Sequence, residues 1–147
     1  QTIDTTQESK IDFYLGYFMD KSADSVISDK FNLGFTAMEQ VSSNMYGLMD
    51  LGYTANFNSP SDLMYINCFF GLGANSGGRN FNIFFDFSGG FGLFKTSQRD
   101  DLMAAPGARL RVGYGYWKLA VTITSFTAFS KDTYLNSAGL GIVYRLQ

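Results

Sequence analysis

The 147-residue chain is of single-domain size and carries eleven Lys and Arg against thirteen Asp and Glu, so it has no basic run to neutralise nucleic-acid phosphates. It contains no histidine and one cysteine, which excludes Ser-His-Asp and Cys-His catalysis, a disulfide framework and a cysteine metal site. Fifteen Phe, nine Tyr and sixteen Gly beside two Pro favour long β-strands joined by turns, and no run approaches the roughly 18 apolar residues of a membrane helix.

In chain order, Gln1 to Ser9 is polar and aperiodic and reads as a tail ahead of a single domain over residues 10–147. Alternation begins at Lys10. Ile11, Phe13, Leu15, Tyr17 and Met19 share one face, and Asp12, Tyr14, Gly16 and Phe18 the other, because strand side chains repeat every two residues. Asp20 to Lys30 holds five charges and three serines and reads as a loop. A second strand sets Phe31, Leu33, Phe35 and Ala37 against Asn32, Gly34, Thr36 and Met38. After a turn at Val41 to Asn44, a third sets Met49, Leu51, Tyr53, Ala55 and Phe57 against Asp50, Gly52, Thr54 and Asn56. Asn58 to Ser61 makes a tight connection, and the fourth strand opposes Met64, Ile66, Cys68, Phe70 and Leu72 to Tyr65, Asn67, Phe69 and Gly71.

A turn at Ala74 to Asn80 leads to a fifth strand, with Phe81, Ile83, Phe85 and Phe87 opposite Asn82, Phe84, Asp86 and Ser88. Gly89-Gly90 predicts a bend or bulge, and Lys95 to Gly107 reads as the longest loop. The sixth strand places Leu110, Val112 and Tyr114 opposite Arg109, Arg111, Gly113 and Gly115, and the seventh Leu119, Val121 and Ile123 opposite Ala120, Thr122 and Thr124. Lys131 to Asn136 reads as the last loop. The eighth strand puts Leu140, Ile142, Tyr144 and Leu146 on one face and Gly139, Gly141, Val143 and Arg145 on the other.

An apolar row opposed to a glycine and arginine row makes sense with the apolar side toward lipid and the small or charged side toward a narrow polar interior. The C-terminal pattern of Ser137, Gly139, Leu140 and Ile142 is similar to the assembly signal of outer-membrane proteins, although this chain ends in Leu146-Gln147 and not in an aromatic. From Lys10 onward the chain resembles the small eight-stranded outer-membrane barrels of the outer-membrane protein A and X type. The resemblance implies an all-β, antiparallel, up-and-down transmembrane barrel in a Gram-negative outer membrane, with both termini at the periplasmic turn end. It implies outer-membrane lipids as partners, and a structural or accessory role, or that of a subunit docked to a larger outer-membrane complex. The start at Gln1, without Met or a charged leader, fits a mature chain after signal-peptide removal.

Parity sends eleven glycines inward: Gly16, Gly34, Gly52, Gly71, Gly73, Gly90, Gly92, Gly113, Gly115, Gly139 and Gly141. They make room for Tyr14, Phe18, Tyr65, Phe69 and Phe84 in a barrel of the smallest usual size. The inward charges are Asp12, Asp50 and Asp86 against Arg109, Arg111 and Arg145, expected to pair as a plug and not to form an ion path. Closure makes Asp12 and Arg145 neighbours, so they are the first-choice pair. Outside, Tyr114, Tyr116, Trp117 and Tyr144 are expected to form an interfacial girdle at the turn end, with Phe57 and Phe129 at the opposite rim.

No catalytic constellation is expected, so the chain is not read as an enzyme. Cys68 falls on the apolar face, and Gly71-Leu72-Gly73 and Gly89-Gly90-Phe91-Gly92 lack the Lys-Ser/Thr and helix of a phosphate loop. Asp20, Asp24 and Asp29 lack calcium-loop spacing and read as a solvated loop, so neither cofactor nor metal is implied. The alternative is a soluble lipocalin-like barrel holding a small apolar ligand. That barrel needs apolar residues inside, the reverse of the parity on most strands.

Overall fold

The computed structural model describes residues 9–20, 29–57, 63–76, 81–97, 99–116, 118–130 and 134–146. It forms eight strands: β1 (Ser9–Asp20), β2 (Lys30–Gln40), β3 (Met45–Asn56), β4 (Leu63–Asn75), β5 (Asn82–Thr96), β6 (Arg99–Gly115), β7 (Leu119–Phe129) and β8 (Tyr134–Leu146). Each pairs antiparallel with its sequence neighbours. β1 then pairs with β8, from Ile11 opposite Leu146 to Asp20 opposite Ser137, and closes the barrel. Closure removes every free edge, and strands of eleven to seventeen residues meet the roughly 9 to 11 a tilted strand needs to cross a bilayer. The expected all-β up-and-down barrel is therefore the fold.

The chain ends share one end of the barrel with the connections after β2, β4 and β6. Among the described residues there, Val41 N–H donates to Met45 O at 2.9 Å after β2, and Leu119 N–H to Tyr116 O at 3.2 Å after β6. Gly115 has φ +152°, a conformation that favours glycine, where β6 enters its turn. The first, third, fifth and seventh connections lie at the opposite end.

Three expectations are corrected. Lys95 to Gly107 is not the longest loop: β5 runs to Thr96 and β6 starts at Arg99. Its polar and Pro-Gly composition reads as loop, yet Phe94, Met103 and Ala105 continue the inward row. Pro106 is tolerated because it lies one residue past the last pair with β7, Gly107 opposite Ala128, where no ladder on that side asks for its missing N–H. Gly89-Gly90 makes no bulge. The register runs through it, and the irregularity falls between Phe94 and Thr96. A Cβ on Gly90 would lie 2.6 Å from Cys68 O, so that glycine permits close strand approach rather than a bend. The last loop is also shorter than read, since Tyr134 to Asn136 belong to β8.

The outward rows are apolar and exposed, including Phe13, Leu15, Ile66, Phe70, Phe85, Phe87, Val121, Ile123, Leu140 and Ile142. That is the reverse of a soluble barrel, which rules against the lipocalin-like arrangement. Cys68 is exposed on this apolar surface. The inward rows are buried, and Gly107, in the span that reads as loop, joins the inward glycines because it shares the parity of Arg109 on β6 and faces Phe69 and Tyr65. These glycines face rings: a Cβ on Gly113 would overlap Phe84, one on Gly73 would overlap Tyr46, and one on Gly92 would overlap Tyr65.

Candidate functional site: the barrel interior

The interior has two layers. Toward the loop end, Phe18, Tyr65, Phe69, Phe94, Ala105, Phe126, Ala128 and Leu135 form one buried apolar cluster. The Phe69 and Phe126 rings stack at 5.7 Å, and Tyr65 lies 4.5 Å from Phe94 and 5.8 Å edge-on to Phe126. Tyr65 OH donates to Ala105 O at 3.0 Å, which satisfies its one buried polar atom.

Below this layer, toward the turn end, lie the charges. Asp50 on β3 is 0% exposed and its carboxylate accepts from four groups: Thr36 Oγ1 at 2.9 Å, Tyr14 OH at 3.1 Å, Asn67 Nδ2 at 2.8 Å and Arg109 Nη1 at 2.9 Å. Asp86 on β5 accepts from Arg111 Nε at 3.2 Å and Nη2 at 2.7 Å and from Tyr46 OH at 3.0 Å. Arg109 Nη2 sits 3.7 Å from Asp86 Oδ1, too far for a hydrogen bond, so Arg109 leans on Asp50. At the β1–β8 seam Arg145 forks onto Asp12, Nε to Oδ1 at 2.8 Å and Nη2 to Oδ2 at 3.2 Å. The arginines also cover rings: Arg109 lies 5.4 Å over Tyr14, and Arg111 and Arg145 lie 5.3 and 5.7 Å from the Phe84 centroid. All six charges are buried, and each makes a charge pair with at least one of the others.

Residues outside the sequence-derived set take part. Tyr46, with Leu48 and Met38, forms a small apolar cluster at the turn end, and extending the parity of Asp50 back two and four residues would have found Leu48 and Tyr46. Extending β7 past Thr124 would likewise have given Phe126 and Ala128. Lys30, read as loop, opens β2 and is buried, so three-against-three describes the middle of the lumen and not its whole length. Ser88 Oγ, Asp86 Oδ1, Arg109 Nε and Arg111 Nη1 are buried without a partner. A void of about 10 Å³ lined by Arg109 and Arg111, with Tyr14, Asn32, Thr122 and Thr124 among others, has room for about one water.

On the outer surface Tyr114, Tyr116 and Tyr144 are exposed at the turn end, where Tyr114 packs 5.9 Å from Phe81. Trp117 lies outside the described residues. At the other rim Phe57 meets Tyr17 and Phe31 edge-on at 6.4 and 6.3 Å, and Phe129 is exposed at the end of β7. Of the three loop aspartates, Asp24 lies outside the described residues. Among the described residues no three acidic or cysteine groups gather at metal-binding distance.

No family model and no curated protein matches this chain. Solved structures do. Neisserial surface protein A superposes with a TM-score of 0.74 at 11% identity over 94% of this chain and 96% of its own. The outer membrane enzyme PagL gives 0.64 at 12% identity over 94% and 99%. The N-terminal β-barrel domain of Pseudomonas aeruginosa OprF gives 0.61 at 10% identity over 95% and 98%. At such identities the likeness is one of fold: this chain has the architecture of the small eight-stranded outer-membrane barrels.

Proposed function

We propose that the protein is an integral outer-membrane barrel with a closed lumen, acting as a structural or accessory protein or as a subunit docked to a larger outer-membrane complex. The observation that carries the membrane assignment is the belt of exposed large apolar side chains that all eight strands of a closed barrel present outward, which a water-soluble chain of this size would have to hide. The fold shared with outer-membrane barrels supports the location. One of these neighbours, PagL, is an enzyme by name. This chain has no histidine and its interior charges are engaged with one another, which favours a non-catalytic role.

The closed lumen is supported by the stacked Phe69–Phe126 layer above the arginine–aspartate layer, and by interior voids of about 10 Å³. An eight-stranded barrel has no spare width once such side chains fill it. Two measurements test the reading. Purified protein should need detergent or lipid and run at different apparent mass with and without boiling, because a closed barrel resists SDS. A soluble monomer in plain buffer without that shift refutes the membrane assignment. In planar bilayers the wild-type protein should give no steady conductance, and well-defined single-channel steps would replace the closed lumen by a pore.

A further inference from the structure

We propose that the lumen holds one chloride ion between Arg109 and Arg111 on β6 and the wall formed by β7, β8 and β1, at the void of about 10 Å³ that these residues line. The inference rests on the closed lumen proposed above and adds a ligand to it.

The donors of the two arginines outnumber their acceptors. A guanidinium carries five N–H groups and accepts nothing. Arg109 gives Nη1 to Asp50, and Arg111 gives Nε and Nη2 to Asp86. Arg109 Nε and Nη2 and Arg111 Nη1 are buried without an acceptor, on side chains only 2% exposed. The two carboxylates stand on β3 and β5, whereas the void has its walls on β1, β2, β6, β7 and β8, and none of the described residues lining it is acidic. Of its other polar side chains, Tyr14 OH and Asn32 Nδ2 already donate to Asp50 and Thr54. Thr122 and Thr124 add hydroxyls whose protons can turn toward the void. Across the β1–β8 seam Gly16 faces Gly141, so no side chain from the seam fills the space.

A surplus of buried donors selects the occupant. Water brings protons of its own that need acceptors, and it adds no charge beside the guanidiniums. A halide only accepts, and its charge strengthens each hydrogen bond from an arginine. Its single atom also suits a space of about one water, which phosphate, sulfate or a carboxylate exceeds. Held there, chloride ties β6 and β7 to the seam at which the barrel closes on itself.

The test is urea unfolding of the refolded barrel in phosphatidylcholine vesicles, with sodium chloride or bromide exchanged for sodium gluconate at constant ionic strength. Once the site is saturated, the folded-to-unfolded ratio should rise about tenfold for each tenfold rise in halide. Thr122→Val together with Thr124→Val keeps the bulk and removes both hydroxyls. It should move the response to about tenfold higher chloride, the factor for one lost hydrogen bond to a charge. Wild-type crystals grown in bromide should show an anomalous peak within hydrogen-bond distance of Arg109 and Arg111, and this peak decides alone if the double variant does not refold. A halide-independent midpoint, or no anomalous peak there, overturns the site in favour of water. A halide response that both valines leave unchanged overturns this placement. Steady conductance of the wild type in planar bilayers overturns the closed lumen and the site together, whereas a silent bilayer with no halide response removes the site alone.

Discussion

Asp50→Asn should destabilise the barrel far more than Arg109→Met, although the two residues form one ion pair 2.9 Å apart. The asymmetry follows from what each partner keeps. Without Arg109, the Asp50 carboxylate still accepts from Tyr14, Thr36 and Asn67 at 2.8 to 3.1 Å. Losing one bond while the charge stays solvated by three donors costs about 1 to 3 kcal/mol. Without the Asp50 charge, Arg109 is only 2% exposed and has Asp86 Oδ1 at 3.7 Å as its nearest counter-ion. Stranding a buried cation this way costs about 3 to 5 kcal/mol. The assay is reversible urea unfolding in lipid vesicles, read by the boiling-dependent gel shift and by emission from Trp117, the single tryptophan. Asp50→Asn should unfold at distinctly lower urea, by a difference of about 2 kcal/mol between the variants. Equal midpoints, or Arg109→Met the weaker, would refute the hub role of Asp50.

Other outcomes follow from the same geometry. Phe85→Arg or Ile142→Arg on the outward rows should cost about 2 to 4 kcal/mol near the bilayer midplane, whereas inward Thr122→Ser should change little; equal tolerance in vesicle unfolding would contradict the outward assignment. Removing Asp12 or Arg145 alone should cost about 3 to 5 kcal/mol, and replacing both by apolar residues should cost less than either, as a double-mutant cycle would report. Gly113→Ala should cost about 1 to 3 kcal/mol by pushing Phe84 against Arg111 and Arg145, and Phe84→Leu in the same chain should recover part of it in the same titration.

Strand count, parity and closure were legible in the sequence because each outward residue must be apolar and each inward one small, polar or able to nest with a glycine. That demand writes a period of two over the chain. It fails where composition resembles loop. Arg99 to Gly107 carries three charges, a proline and a glycine and still runs as strand, because β5 and β6 pair with each other beyond the point where β7 stops. The Asp12–Arg145 fork was legible because closure of an even-stranded barrel makes the first and last strands neighbours. The full donor set around Asp50 was not: Thr36 lies directly opposite it on β2 and Asn67 diagonally on β4, but Tyr14 on β1 and Arg109 on β6 come from strands that do not pair with β3 and reach it only once the barrel has its tilt and stagger.

The order of the two interior layers bears on how so small a barrel stays shut. Charge pairs exposed to water are weak, because a high dielectric screens them and solvent competes for every donor. The Asp50 and Asp86 clusters escape this because stacked Phe69 and Phe126, with Tyr65 and Phe94, cover them from the loop end, while Tyr46, Leu48 and Met38 cover them from the turn end. The rings keep water out so that the ion pairs are strong, and the ion pairs draw together β1, β3, β5, β6 and β8, which hold the rings in place. On this reading neither layer suffices alone. Trimming Phe69 and Phe126 to alanine should let water reach Arg109 and weaken its pair with Asp50. The penalty for Asp50→Asn should then be smaller in that background than in the intact barrel, and an unchanged penalty would show that the two layers act independently.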